Sequence, residues 1–596
     1  MIRELSELGK SLRAGKDENA WVHDALKEEP ISMELVISQD GGFRQLLLID
    51  GKLTPSEAIT AKKGKARLLL DKPEEVLCYC GDSSKKKHQL FLDKIADYRQ
   101  LQELTPVVAF YHHNKADGLD KALECYESLV ATDDKKTKKI MAGNIGFRVQ
   151  TEATRIHEKP EVLKAVISSY ELLQQKQLSV ATRLCSICGK SDYPVEDIPH
   201  GMIKRVPDGQ SSGCALVSYN EDAFESYELK GNKNSSVCTN CAKTYVEGLN
   251  WLLSSGNEIS FTDKKGKAKP QFRYTNRRNF GSDTAMLFWT RNNQALDEMD
   301  MLEAPSAADV TKMIESLASG KGKDARYLDP ERFYSCILSG AAARIAVRNW
   351  IETSLGDFRT SITLWFRDIA IARYDWDRKE IATHYTPLYN LARSCQRQML
   401  KSDGGYEYDK DDTATARVAT SLWKAALQHS QIPLWILSKA IQRARLDVTA
   451  ERAALIKLIL NRNNKGGGFM ITEDEVKGDR PIAYVCGQIF AKLESIQYAA
   501  LGDRNAGIRE KYFSYAMTSP AAAFGRLFSL HSKHFTKLKS EKPGLAITLD
   551  KELQELCKDV DIQKFPQLFL LEEQGQFAIG YYHQKQAQFA NIKSIQ

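Results

Sequence analysis

The chain has 596 residues, 42% of them hydrophobic and 27% charged. That balance excludes a disordered or fibrous protein and predicts two to four globular domains. No apolar run is long enough to cross a bilayer and the first residues lack a signal-peptide core, so no membrane association and a cytoplasmic location are expected. The net charge of +7, from 84 basic and 77 acidic residues, is too mild to indicate nucleic acid by itself. Basic runs do concentrate in the first half, at 62–67, 85–87, 135–139, 264–269 and 277–278.

Residues 1–290 read as a mixed α/β region. The apolar runs Met33 to Ile37 and Ala66 to Leu70 have strand character. Helical periodicity appears near 91–104, 119–130 and 160–175, where Pro160 suits a first helical turn. Asn144 stands in Gly143-Asn-Ile-Gly146, a polar amide near two glycines.

Two Cys-x-x-Cys pairs follow, Cys185/Cys188 and Cys238/Cys241. Two such turns supply four thiolates, the ligand set of a structural zinc, and four thiolates leave no open position for catalysis. The gap between the pairs is longer than in a compact zinc ribbon. Its insertion would then be braced by the metal. The other eight of the 12 cysteines are mostly isolated, as in a reducing compartment.

Between the pairs lies Lys204-Arg-Val-Pro-Asp-Gly-Gln-Ser-Ser-Gly213, followed by a run of strand character at 214–219. Small residues let its backbone approach a phosphate chain or a groove, and Gln210 both donates and accepts hydrogen bonds. Gly209, Ser211 and Gly213 also fit the Gly-x-Ser-x-Gly elbow of serine hydrolases. That elbow needs a buried strand before it and a helix after it. The flanks here offer neither. Residues 9–11 and 189–191 end like a phosphate-binding loop but lack its first glycine.

Residues 291–325 read as a linker, and 326–465 as a helical domain. Within it, 341–351 is expected to be a helix carrying Arg344 and Arg348 one turn apart. Further helices are expected at 437–446, 450–461 and 482–538, with Gly466 to Gly468 as a break before a helical bundle at 470–596. Arg344, Arg348, Arg443, Arg445, Arg452, Lys457 and Arg462 are candidates for holding a nucleic-acid strand by its phosphates. Tyr581 and Tyr582 read as packing residues.

Several segments together resemble one family. They are the Gly-Gln-Ser-Ser-Gly loop with its continuation to Tyr227, and the stretches 245–253, 68–73, 283–289, 342–350, 452–457 and 574–584. In their order along the chain they are similar to the large subunit of the type I-C CRISPR Cascade complex. The resemblance implies a non-catalytic subunit of a crRNA-guided complex. Such a subunit reads a short protospacer-adjacent motif (PAM) in duplex DNA, helps open the duplex into an R-loop and recruits a helicase–nuclease. It implies crRNA-bearing backbone and crRNA-processing subunits as partners. On this chain it points to Lys204, Gln210, Ser211 and Ser212 for motif reading, with Asn144 as a second candidate. Family genes also often encode a small subunit from an internal start. Here Met470 follows Lys465-Gly-Gly-Gly468, whose codons can be written as a ribosome-binding sequence.

Overall fold

The structure is a computed structural model. It describes residues 1–14, 23, 25–58, 66–113, 117–131, 135–178, 182–191, 193–194, 200–234, 236–262, 268–280, 282–318, 331–400, 406–409, 414–464, 466–502, 507–558, 560 and 565–591. The lysines at 62–65 and 264–267, the segment 319–330, and Lys465 lie outside these residues. The chain divides into two units: Met1–Ile203 with Ala215–Trp251, and Lys204–Cys214 with Leu252–Gln596.

The first unit is built on a four-stranded sheet of order β2-β1-β4-β3. Its strands are β1 (Leu26–Ile37), β2 (Phe43–Glu57), β3 (Leu70–Asp71) and β4 (Asn144–Val149). β1 and β4 are parallel, so the chain between them must cross over, and it does so through helices. The apolar run at 33–37 is the buried C-terminal end of β1. Met33, Leu35 and Ile37 join Phe91, Val107 and Phe110 in one core. The alternating Glu34 instead binds Arg148 at 2.9 Å and Arg155 at 2.6 Å. The run at 66–70 contributes only its last residue to a strand. Further along, helix Ile2–Ala14 lies against helix Thr239–Ser254. A Cβ on Gly9 would stand 2.0 Å from the Thr244 carbonyl oxygen, so the close approach requires glycine.

The second unit opens with a ribbon of β7 (Gly256–Thr262) and β8 (Ala268–Tyr274), two short strands β5 (Thr182–Arg183) and β6 (Tyr193–Pro194) having preceded it in the first unit. An antiparallel sheet of order β12-β11-β10-β9 comes next. It comprises β9 (Arg277–Phe280), β10 (Thr284–Thr290), β11 (Arg332–Ala341) and β12 (Arg344–Ser354).

This sheet corrects two expectations. Residues 341–351 are not a helix: β12 begins at Arg344 and pairs with β11. The alanines and arginines favour helix locally, but Ile345, Val347, Trp350 and Ile351 suit a strand, and pairing across the hairpin decides. The expected boundary near 290 and the linker 291–325 fall inside the sheet, between β10 and β11. The described part of that segment holds helices Asp297–Glu303 and Ala307–Ala318.

Helices dominate thereafter. Leu434–Ala444, Ala450–Asn463, Ile482–Leu501, Ile508–Thr518 and Pro520–Glu541 answer the expected helical blocks. Gly467 and Gly468 take φ of 66° and 91° and lead into a hairpin of Phe469–Ile471 with Val476–Gly478. Helices Ile482–Leu501 and Leu571–Asn591 cross so tightly that a Cβ on Gly487 would meet the Phe577 carbonyl oxygen at 2.0 Å. Tyr581 and Tyr582 are buried between helices, as packing residues should be. The whole is a mixed α/β N-terminal region followed by a predominantly helical C-terminal one. Among the described residues, no helix is long and apolar enough to cross a membrane.

Candidate functional site

The loop 204–214 is held from within its own unit by the tip of the β11–β12 hairpin. The Gly340 amide donates to the Pro207 carbonyl at 2.8 Å, and the Gln210 amide donates to the Ala342 carbonyl at 3.3 Å. The Cys214 thiol donates to the same carbonyl at 3.3 Å, and Gly209 forms a parallel bridge with Ala342. A Cβ on Gly340 would stand 2.5 Å from the Gly209 nitrogen, so no other residue lets the loop sit this close. Arg277 pins the other end, donating to the Arg205 carbonyl at 2.9 Å and the Leu253 carbonyl at 3.1 Å.

On the loop itself these anchors all use backbone atoms or the buried Cys214. The side chains of Lys204, Gln210, Ser211 and Ser212 are left exposed on the outer side of the loop. Within it, the Gly213 amide closes a turn onto the Gln210 carbonyl at 3.0 Å, with Gly213 at φ 114°. A fixed backbone carrying a free amide and two hydroxyls can meet base edges and phosphates without first being ordered. The expected strand at 214–219 is not formed, and no helix follows Ser211. The next helical turn is the short Asp222–Phe224. Among the described residues Ser211 bonds to no histidine. The geometry of a nucleophile elbow is therefore missing.

Asn144 is a different kind of residue from the one expected. It opens β4, is 3% exposed, and its Nδ2 donates to the Pro30 carbonyl at 2.8 Å. It ties two strands and presents no amide to solvent.

The four cysteines do converge. Their sulfurs all lie within 4.8 Å of one another, and Cys188 Sγ is 3.9 Å from Cys238 Sγ. A tetrahedron with metal–sulfur bonds of about 2.3 Å needs sulfurs about 3.8 Å apart. Backbone amides already aim at the sulfurs, from Cys238 to Cys185 Sγ at 3.3 Å and from Cys241 to Cys238 Sγ at 3.5 Å. Gly189, at φ 71°, makes the turn after Cys188. Lys10 Nζ stands 4.0 Å from Cys241 Sγ, a cation suited to the negative charge of four thiolates. The neighbouring Cys241 thiol and burial push the Cys238 thiol up, and burial pushes Cys188 up. Such a set holds protons until a cation displaces them. The cluster can hold one structural metal ion. The loop's own anchors include none of these cysteines, so the expected bracing of the loop by metal is not what positions it.

The basic candidates scatter. Arg344 is exposed at the start of β12, beside the hairpin tip that carries the loop. Arg348 occupies a bulge between Val347 and Asn349, is exposed, and donates from Nε to Ser339 Oγ at 2.9 Å. Arg443 is half-buried, and Arg445 donates to Gln574 at 3.2 Å.

The remaining three are core residues, against expectation. Arg452 is 2% exposed and donates to the carbonyls of Ser394 and Asp447. Lys457 is 2% exposed, and burial lowers its ammonium to about 8. Arg462 pairs with the buried Asp368 at 2.9 Å and donates to the Ala425 carbonyl at 2.6 Å. None of the three offers a cation to a strand passing over the surface. Sequence reasoning also missed Arg277, Gly340 and Ala342. The run Arg277-Arg278 shows charge but not that Arg277 is a buried anchor, and a glycine at a hairpin end carries no signal until the loop it holds is seen.

No curated protein matches the chain. Over residues 5–589, almost its full length, it matches the family described as CRISPR-associated protein (Cas_Csd1), and the chain belongs to that CRISPR-associated family.

Proposed function

We propose that this protein is the non-catalytic large subunit of a type I-C Cascade complex. In this reading it recognises the PAM in duplex DNA through the loop 204–214 and promotes opening of the duplex. The observation that carries the reading is the loop itself, with an exposed Gln-Ser-Ser tip on a backbone clamped to the β11–β12 hairpin, in a chain of a CRISPR-associated family. Gln210 meets base edges or wedges between strands, Ser211 and Ser212 hold phosphates, and Lys204 adds a cation. The guide RNA supplies the longer sequence match by pairing, so the protein reads only a short motif. Its partners are target duplex DNA, the crRNA-bearing backbone and crRNA-processing subunits, and a helicase–nuclease that cuts.

Two further parts belong to the proposal. The Cys185, Cys188, Cys238 and Cys241 cluster holds one structural zinc, supported by its sulfur spacing and amide donors. Purified protein then contains close to one zinc per chain, and Cys188→Ser with Cys241→Ser loses it. Fresh reduced protein without zinc defeats this part. A small subunit also starts at Met470. That point lies in the hairpin before helix Ile482–Leu501, and the helices after it pack chiefly on one another. Synonymous recoding of 465–468 with Met470→Leu abolishes that product and spares the full chain.

The central test uses Lys204→Ala with Gln210→Ala in the assembled complex. Duplex target binding falls by about 1–3 kcal/mol per lost base-edge contact, while a matched single strand binds as before, because it needs neither motif reading nor opening. Equal losses on both substrates remove the assignment.

A further inference from the structure

The ribbon β7–β8 stands apart from the packing of the second unit. Asn257 to Ser260 and Ala268 to Arg273 are exposed, on both faces of the ribbon. Its two strands pack chiefly on each other. An isolated two-stranded hairpin is marginal in water, and this ribbon exposes both of its faces.

The register shows what that surface offers. Asn257 pairs with Arg273 and Ile259 with Gln271, and Lys269 lies two residues further along the same face. Asn, Gln, Arg and Lys are the side chains that hydrogen-bond base edges and phosphates. The opposite face carries Glu258, Ser260, Pro270 and Phe272. Across 256–274 the chain has five basic and two acidic residues, and three of the lysines, 264, 265 and 267, lie between the strands in sequence. Each strand spans about 23 Å at roughly 3.3 Å per residue, and a two-stranded ribbon fits the major groove of B-form DNA.

The base of the ribbon is anchored. Arg273 pairs with Asp300 at 2.9 Å, and the Thr275 amide donates to the Ser255 carbonyl at 3.0 Å. Arg277 stacks over Tyr274, the last residue of β8, with its guanidinium 4.7 Å from the ring centre. It is the same buried Arg277 that donates to the Arg205 carbonyl. One guanidinium thus joins the root of the ribbon to the root of the Gln-Ser-Ser loop.

We infer that the β7–β8 ribbon is a second duplex-binding arm, its Asn257–Lys269–Gln271–Arg273 face laid against the DNA that flanks the motif read by the loop. This deepens the reading under Proposed function and rests on it for the identity of the duplex. The arm contributes affinity for any duplex sequence, whereas the loop contributes discrimination.

The test compares the complete complex carrying Lys269→Glu with Gln271→Glu, Ser260→Gln on the opposite face, or Gln210→Ala. The probes are a duplex target with the motif, the same duplex with the motif scrambled, and a matched single strand. Lys269→Glu with Gln271→Glu should weaken both duplexes alike, by tenfold or more. It should lower the slope of log affinity against log salt by about one and leave the single strand and subunit assembly unchanged. Ser260→Gln should behave as wild type.

Unchanged duplex affinity and slope overturn the inference. So does loss of the backbone subunits from the complex, which makes the ribbon a protein contact. Equal losses from Ser260→Gln overturn the choice of face. Gln210→Ala separates the two readings. If it leaves motif discrimination intact while the ribbon variant still lowers duplex affinity, the loop assignment fails and the arm stands.

Discussion

The loop 204–214 and the helix Ala450–Asn463 both carry polar residues that suggest contact with nucleic acid, and the fold treats them in opposite ways. The loop spends its backbone on anchoring and leaves Lys204, Gln210, Ser211 and Ser212 outside. The helix spends its cations on anchoring: Arg452, Lys457 and Arg462 are enclosed by the protein and bind carbonyls or face carboxylates. A basic residue on a helix is evidence of a binding face only if that face is wet. A helix enclosed on nearly every side has no such face.

The comparison can be broken first at Arg462. Arg462→Ala leaves Asp368 buried without its closest cation and should destabilise the second unit by about 3–5 kcal/mol, read by urea unfolding. A variant of normal stability with weakened DNA binding would return Arg462 to the surface.

Lys457 should move stability the other way. Burial holds its ammonium at about 8 against an ordinary 10.5, with Asp368 and Glu473 favouring the charge and Arg367 opposing it. Between those pH values the unfolded chain binds the proton and the folded chain does not, so stability rises with pH across that window. Below pH 8 both states are protonated and the fold carries the full penalty. Lys457→Met should therefore stabilise at pH 7, by up to about 3 kcal/mol, and flatten the rise above pH 8. A destabilised variant with no change in that limb would show that the ammonium is paired.

Gly340→Ala sharpens the loop side. The added methyl collides with Gly209 and Asp208 and should displace the loop without touching its side chains. Motif-dependent duplex binding should fall about tenfold, the weight of roughly one base-edge contact, with single-strand binding kept. Retention of full discrimination would mean that the hairpin does not position the loop. The smallest effect belongs to Arg443→Ala with Arg445→Ala. With both residues only partly accessible, the log–log salt slope should drop by at most about one per true phosphate contact. An unchanged slope makes them packing residues as well.

Much of the core was legible from periodicity. Met33 to Ile37, the helix Leu119–Val130 and the helices after 434 follow their apolar patterns, because burial and pattern have the same cause. The burial of Lys457 is legible too, in the unbroken run Ala453-Ala-Leu-Ile-Lys-Leu-Ile-Leu460, which outweighs the spacing of the cations. The cysteine cluster was readable from two Cys-x-x-Cys pairs even across a long gap, since ligand chemistry does not depend on loop length.

Residues 341–351 read as helix because alanine-rich segments favour helix until a partner strand is present. The docking of 204–214 on Gly340 and Ala342 joins residues far apart in sequence by backbone hydrogen bonds. Apart from the glycine at 340 and the thiol of Cys214, those bonds use main-chain atoms that nearly every residue carries, so the sequence hardly announces them.

The central claim is that the tip of the Gln-Ser-Ser loop touches the motif in duplex DNA. It is tested most directly by placing a photo-crosslinking amino acid at Ser212 in the full complex. On irradiation with target duplex, the account predicts crosslinks to the base pairs next to the guide-matched segment. Scrambling the motif should abolish them. Crosslinks to another subunit, or to DNA irrespective of the motif, would contradict it.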